Sequence, residues 1–176
     1  ITMTVPRAVE VIADLSNTFP RAVIGAGTVT DPQTARDVIA AGAKFVVSPV
    51  FRRADWDHYI AVNRRFAGAV AEESRTDDPV VLVQDYHLAL LPRMIRNLLP
   101  RATIITFWHI PWPNQEAFGI CPWREELLEG MLGSTILGFH TAQHCKNFLE
   151  TVDRYLEARI EHESATITYR GKLTRV

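Results

Sequence analysis

The chain has 176 residues, 47% of them apolar and 22% charged, which allows one ordinary domain or two small pieces and excludes a disordered, collagen-like or coiled-coil chain. Its 19 lysines and arginines stand against 20 acidic residues, a formal charge of −1 that is balanced on both sides of residue 50, so no segment has the basic excess that nucleic-acid binding needs. No apolar run approaches the roughly 20 residues of a membrane span, no secretory signal opens the chain, and Cys121 and Cys145 fit neither a disulfide framework nor a metal-ligand spacing. A soluble cytoplasmic protein is expected, with no membrane or nucleic-acid partner and with no metal or organic cofactor.

Short β-branched runs alternate with stretches of helical period along the whole chain, the pattern of a parallel α/β architecture. Pro6 opens a helix with Val9, Ile12, Ala13 and Leu15 on one face. A strand at Ala22 to Ile24 ends in Gly25-Ala26-Gly27-Thr28; Asp31-Pro32 caps and starts a helix that Gly42 ends; Lys44 to Val47 is the next strand, closed by Ser48-Pro49. A long helix spans about Ala54 to Glu73, with Trp56, Tyr59, Ile60, Asn63, Phe66 and Val70 at spacings of three and four. Pro79 to Val83 reads as a continuous apolar strand buried on both faces.

The helix from His87 to Leu99 contains Pro92, which predicts an early kink or a late start. Thr103 to Trp108 is a second continuous strand, ended by His109-Ile110-Pro111-Trp112-Pro113. A helix at Trp123 to Leu132, a third strand at Thr135 to Phe139, a helix from His140-Thr141 to about Ala158 and a hairpin around Gly171 complete the pattern.

Ligands of open parallel sheets bind beyond the carboxyl ends of the strands, where loops converge and helix N-termini present free N–H groups. Three successive strand ends carry polar residues: Gln84-Asp85-Tyr86-His87, then His109, then His140-Thr141. A carboxylate at one end and an imidazole at the next can grip neighbouring hydroxyls, which suggests a polyol or sugar site. Against this, a strand-end Asp often only caps the next helix, and a single His is often structural. Trp108, Trp112 and Trp123 could stack on sugar rings, with core packing the simpler use. Adjacent helical positions diverge by about 100°, so Glu125 and Glu126 cannot converge on one bond and are expected to be solvated.

The strings VQDYHLALLPRMIR, FWHIPWPNQEAFGICPWREELLEGMLG, LGFHTAQHCKNFLETVDRYLEAR and TITYRG closely resemble the trehalose-6-phosphate synthases, glycosyltransferase family 20, from FRRADWDHYIAVNRRFA onward, over residues 51–176. The resemblance implies a parallel Rossmann-like sheet, the amino-terminal half of a two-domain GT-B fold. It also implies transfer of glucose, with retention and without a metal, from a nucleotide sugar such as UDP-glucose to glucose 6-phosphate. By motif match, Asp85 of QDYHL holds the acceptor sugar, and His109 of WHIPWP is the catalytic-centre residue beside the donor glucose. Glucosylglycerol-phosphate synthases share the strings, which leaves the acceptor less certain than the chemistry.

Residues 1–49 carry another pattern. ITMTVPRAVEVI, VIGAGTV and DPQTARDVIAAGAKFVVSP resemble the 2-keto-3-deoxy-6-phosphogluconate aldolases, (β/α)8 barrels that act through a lysine Schiff base. Thr28 matches a pyruvate-carboxylate contact and Pro49 a residue lining the same pocket. The departures are Thr4 in place of a carboxylate-binding Arg, no acidic base before Ile1, no strand carrying the Schiff-base lysine, and Val50 in place of the glycine after SP. Lys44 sits at the start of its strand, opposite the chemical face of a barrel.

The expected organisation is therefore an aldolase-like β/α fragment, a partial barrel, over residues 1–50, and a partial Rossmann-like glycosyltransferase domain over 51–176. Orientation of donor and acceptor is worth roughly 7–11 kcal/mol of barrier, and the family's glycine-rich donor loop and second domain are not in the sequence, so little turnover is expected of this chain alone. Two alternatives stand beside the glycosyltransferase reading: a non-catalytic chimeric α/β module, and an aldolase fragment, disfavoured for want of a usable amine.

Overall fold

A computed structural model describes residues 1–48 and 52–176 of the chain, which fall into two compact units, Ile1–Asp55 and Trp56–Val176. In the first, helix α1 (Ala8–Thr18), strand β1 (Gly25–Ala26), helix α2 (Pro32–Ala40) and strand β2 (Phe45–Val46) follow one another. The two strands are parallel, and the first residues add a third extended segment, with Met3 N–H donating to the Gly27 carbonyl at 2.9 Å and Gly27 N–H to Ile1 at 2.7 Å. Asp31 caps α2 by accepting from Thr34 N–H at 2.9 Å, with Pro32 in the first turn. Gly42 then leaves the helix at φ 103°, a conformation costly for other residues.

The first strand lies beyond the predicted Ala22–Ile24, because the ladder begins only where Gly25 faces Phe45. Ile12, Ala26, Val29, Val38 and Ala43 form a small core. Val9, expected on the buried face of α1, is exposed.

Helix α3 (Arg53–Glu73) runs across the division between the units. Within the second unit come β3 (Val80–Gln84), a 3-10 turn (Tyr86–Leu88), α4 (Leu91–Leu98), β4 (Thr103–Phe107), α5 (Gln115–Phe118), α6 (Arg124–Met131), β5 (Ile136–Gly138), α7 (Ala142–Tyr155), β6 (Arg159–Glu161), β7 (Thr166–Tyr169) and β8 (Lys172–Arg175). The six strands form one sheet in the order β3-β4-β5-β8-β7-β6. Neighbours from β3 to β8 are parallel, and β8, β7 and β6 pair antiparallel. The hairpin turns at Arg170-Gly171, both at positive φ (47° and 74°), as a two-residue loop between twisted strands requires.

Pro92 lies in the first turn of α4, so the helix starts late, after the separate 3-10 turn. Helix α7 stops at Tyr155 rather than Ala158, because Leu156 is already extended (φ −129°, ψ 145°) and leads into β6, a short strand that the sequence pattern did not mark.

Two apolar clusters cover the parallel strands. Leu128, Met131 and Leu132 from the α6 segment and Phe148, Leu149 and Val152 from α7 pack with Trp108, Trp112 and Leu137. Ala67 of α3 and Leu91 and Ile95 of α4 pack with Val83 and Ile104. Each fully buried side chain of this size contributes about 1.5–3 kcal/mol.

Two expectations about the core fail. Phe66 is 50% exposed, and Ala67 takes the buried position on α3. Strand β3 is not buried on both faces: it ends the described sheet, and Val80 and Leu82 are 68% and 67% exposed while Val83 is buried.

Candidate functional site

The parallel register brings the expected residues together. Gln84, the last residue of β3, lies opposite Phe107, the last of β4, and the Asp85 N–H donates to the Phe107 carbonyl at 2.8 Å. Asp85 and His109 therefore leave adjacent strands at the same, carboxyl edge of the sheet. The His109 N–H donates to Asp85 Oδ1 at 3.2 Å, and the Tyr86 N–H donates to the same oxygen at 2.9 Å. Asp85 thus caps the 3-10 turn, the structural use expected of a strand-end Asp, and at the same time ties the two strand ends. No described hydrogen bond reaches Oδ2.

Asp85 has φ 65° and ψ 177°, a region that only glycine occupies readily and that costs other residues about 1–3 kcal/mol. The surrounding bonds over-determine it. Tyr59 of α3 donates its hydroxyl to the Tyr86 carbonyl at 2.5 Å and accepts from the Ala89 N–H at 3.0 Å. Asn63, fully buried one turn on, donates to the Tyr59 and His87 carbonyls at 3.0 and 3.1 Å. Burial pushes the Tyr59 phenol up to about 12, against the weaker opposing effect of its hydrogen bonds to Ala89 and Asn63.

These two α3 residues hold the turn that carries Asp85, and sequence reasoning placed them only on the helix's packing face. A buried Asn in an otherwise apolar stripe is the signal that could have marked them.

The base of the turn is fixed from the other side. Gly133 and Gly130 let α6 approach α4 so closely that a Cβ on Gly133 would lie 2.2 Å from Arg93 N, and one on Gly130 2.5 Å from the Ala89 carbonyl oxygen. Arg93 donates to the Glu129 and Leu132 carbonyls and Arg96 to that of Gly133, supplying partners that the end of α6 lacks, while Arg96 also donates to the Pro100 and Ala102 carbonyls beyond α4.

His109 is exposed, with Nε2 2.7 Å from the Gln84 amide oxygen Oε1; its ring meets Phe107 edge-on at 4.8 Å and lies 5.7 Å from the ring of His140. All three polar strand ends are thus neighbours. The tryptophans divide: Trp112 is buried, with Nε1 donating to Thr151 Oγ1 at 3.1 Å, and Trp108 is buried beside it, whereas half-buried Trp123 stacks on Trp56 at 4.8 Å. Glu125 and Glu126 are exposed. Both cysteines are free, and burial pushes their thiols up.

In the first unit Thr28 is left-handed, at φ 62°, beyond the end of β1, and Pro49 lies outside the described residues. Lys44, the one lysine among residues 1–55, is exposed and donates its backbone N–H to the Ile24 carbonyl at 2.7 Å, at the entry of β2 and away from Thr28. Among the described residues no group of three or more His, Cys, Asp or Glu side chains is placed to hold a metal ion, and no helix is long and apolar enough to cross a membrane.

Residues 42–176 match the sequence profile of Glycosyltransferase family 20, and residues 1–76 that of KDPG and KHG aldolase, the two overlapping between. Trehalose-6-phosphate synthase of Mycobacterium sp. (strain KMS) is 42% identical over 131 residues, 74% of this chain and 26% of the relative; that of Mycobacterium avium (strain 104) is 46% identical over 104 residues, 59% and 21%. The fold is similar to trehalose-6-phosphate from E. coli bound with UDP-2-fluoro glucose (TM-score 0.66, 29% identity, 72% of this chain and 28% of that one). It is likewise similar to an alpha,alpha-trehalose-phosphate synthase (UDP-forming) from Burkholderia xenovorans in complex with glucose-6-phosphate (TM-score 0.65, 27% identity, 72% and 28%). The chain spans about a quarter of the length of these relatives.

Proposed function

The chain belongs to glycosyltransferase family 20 through residues 42–176, and on that premise we propose that its second unit supplies part of a site for glucosyl transfer, with retention, from a nucleotide sugar to glucose 6-phosphate. Asp85 holds the acceptor sugar, its Oδ2 accepting hydroxyl protons while Oδ1 stays committed to the backbone of Tyr86 and His109. His109 lies beside the donor glucose. A carboxylate fixed by two backbone donors cannot swing to follow a ligand, so acceptor orientation is set by the sheet edge itself.

The observation that carries this reading is the strained Asp85 backbone, kept at the junction of two strand ends within hydrogen-bond distance of His109. The relatives crystallised with UDP-2-fluoro glucose and with glucose-6-phosphate support the two substrate classes. The mycobacterial relatives favour glucose 6-phosphate as acceptor over the glycerol-phosphate alternative.

Titration of the whole chain with millimolar glucose 6-phosphate tests it. Amide shifts are expected at Asp85, Tyr86 and His109, and they are expected to vanish in Asp85→Ala. No response, or one unchanged in that variant, counts against the assignment.

The aldolase-like segment supports a second, weaker reading. Residues 1–76 match that family's profile, yet Lys44 enters β2 at the end away from Thr28. We propose that Thr28 and Pro49 are at most a remnant of a pyruvate pocket without its amine. Borohydride trapping with pyruvate is expected to leave the intact mass unchanged.

A further inference from the structure

We propose that Gln84 is a positioning residue for His109, its amide oxygen holding the imidazole as the Nε2–H tautomer and leaving Nδ1 as the acceptor for a sugar hydroxyl; this rests on the sugar-transfer reading above. Gln84 and Phe107 are register partners at the ends of β3 and β4, and His109 follows two residues later, beyond the strand, with its ring 4.8 Å from that of Phe107. The Gln84 side chain therefore crosses the diagonal between strands, a distance long side chains span, to place Oε1 2.7 Å from His109 Nε2.

An amide oxygen only accepts, so that contact requires the proton on Nε2, and in a neutral imidazole Nδ1 is then the lone-pair nitrogen. The Phe107 ring, edge-on at 4.8 Å, and the His140 ring at 5.7 Å flank the imidazole. Asp85 Oδ1 meets the His109 backbone N–H rather than the ring. Gln84 is thus the polar side chain in described hydrogen-bond contact with the ring, and it is exposed enough to be exchanged without opening the core.

Long-range 15N–1H spectra of the histidine-labelled whole chain, at a pH where the imidazoles are neutral and with His109→Asn for assignment, test the proposal. Wild-type His109 is expected to show a protonated Nε2 with a slowly exchanging ring proton and an unprotonated Nδ1. Gln84→Glu, which can only accept, is expected to keep this signature, and Gln84→Leu to lose the ring proton to solvent and average the two nitrogens, with the Ile104 and Ile105 amides unmoved.

A protonated Nδ1 in the wild type overturns the proposal, since the amide would then be reversed and donating. So does a Gln84→Leu spectrum identical to wild type. The glucose 6-phosphate titration at Asp85 reports the sugar reading separately: a held tautomer without any ligand response refutes that reading and leaves the Gln84–His109 coupling standing.

Discussion

The hydroxyl of Tyr59, on α3, donates to the carbonyl of Tyr86 at 2.5 Å, joining a helix to the turn that follows Asp85 across 27 residues of sequence. Burial holds this phenol neutral to about 12, against 10 for a free tyrosine. The unfolded chain therefore releases the proton above pH 10 while the folded chain keeps it. Below pH 10 both states are protonated and the contribution is constant; from pH 10 to 12 stability falls by up to about 1.4 kcal/mol per pH unit from this group. Urea unfolding across that range is expected to show the slope in the wild type and a shallower one in Tyr59→Phe. The variant is also expected to be less stable at neutral pH by about 1–2 kcal/mol, for the Tyr86 carbonyl and Ala89 N–H left without a partner. Equal alkaline slopes in the two proteins would contradict the buried phenol.

Much of this site was legible in the sequence, and the reason is chemical. Asp85 and His109 follow continuous apolar runs, and parallel strands of matched length bring their ends together, so Gln84 meeting Phe107 follows from the pattern. Pro92 and Asp31 acted through local backbone geometry and were equally readable. What periodicity cannot show is which face finds cover. Val80 and Leu82 read like core residues and are exposed because β3 ends the described sheet, and Phe66 lost the buried position to Ala67 on the same helix. The end of α7 was read about three residues late because Leu156 continues its apolar pattern while its backbone is already extended, and β6, three residues long, carries too short a pattern to be read as a strand. The roles of Tyr59 and Asn63 depend on contacts with residues 24 to 30 positions away, which no local pattern contains.

Asp85 offers a direct test of stored strain. Asp85→Ala removes the acceptor of two backbone N–H groups and keeps a Cβ at φ 65°, ψ 177°; Asp85→Gly removes the same acceptor and the conformational cost with it. The glycine variant is expected to be more stable than the alanine variant by about 1–3 kcal/mol, and both are expected to lose the glucose 6-phosphate response. Equal stabilities by denaturant unfolding would mean that the backbone here is unstrained.

One substitution is expected to have opposite outcomes at two glycines, one at the close approach of α4 and α6 and one inside α3 with open space beside it. In Gly133→Ala the new methyl would lie 2.2 to 2.4 Å from backbone atoms of Pro92 and Arg93, which no rotamer change can relieve. The helices must separate, and the Arg93 and Arg96 bonds to the end of α6 lengthen with them. A loss of about 3 kcal/mol is expected, at the upper end of overpacking costs. Gly68→Ala, inside α3 with nothing within 4 Å of its Cβ position, is expected to gain up to about 1 kcal/mol from helix propensity. A destabilised Gly68→Ala together with a neutral Gly133→Ala would contradict the packing described.

The two units are expected to differ in local stability. Strands β1 and β2 are two residues each, and Val23 and Val47 beside them are 73% and 54% exposed; the described ladder there is held by few bonds, such as Lys44 N–H to Ile24 and Val47 N–H to Ala26. Strand β4 has five residues, is paired on both sides, and carries the fully buried Ile104. Amides open with free energies that follow such burial and pairing, from near zero up to the global value. Hydrogen exchange is expected to be at least about tenfold faster at Lys44 and Val47 than at Ile105 and Thr106, a difference of about 1.4 kcal/mol in opening free energy at equal intrinsic rates. The same ordering should survive mild urea, since short ladders expose their edges without unfolding the larger core. Equal and strong protection in both sets would mean that the aldolase-like segment and the glycosyltransferase segment open as one cooperative structure, the behaviour of a selected or designed module rather than of two joined fragments.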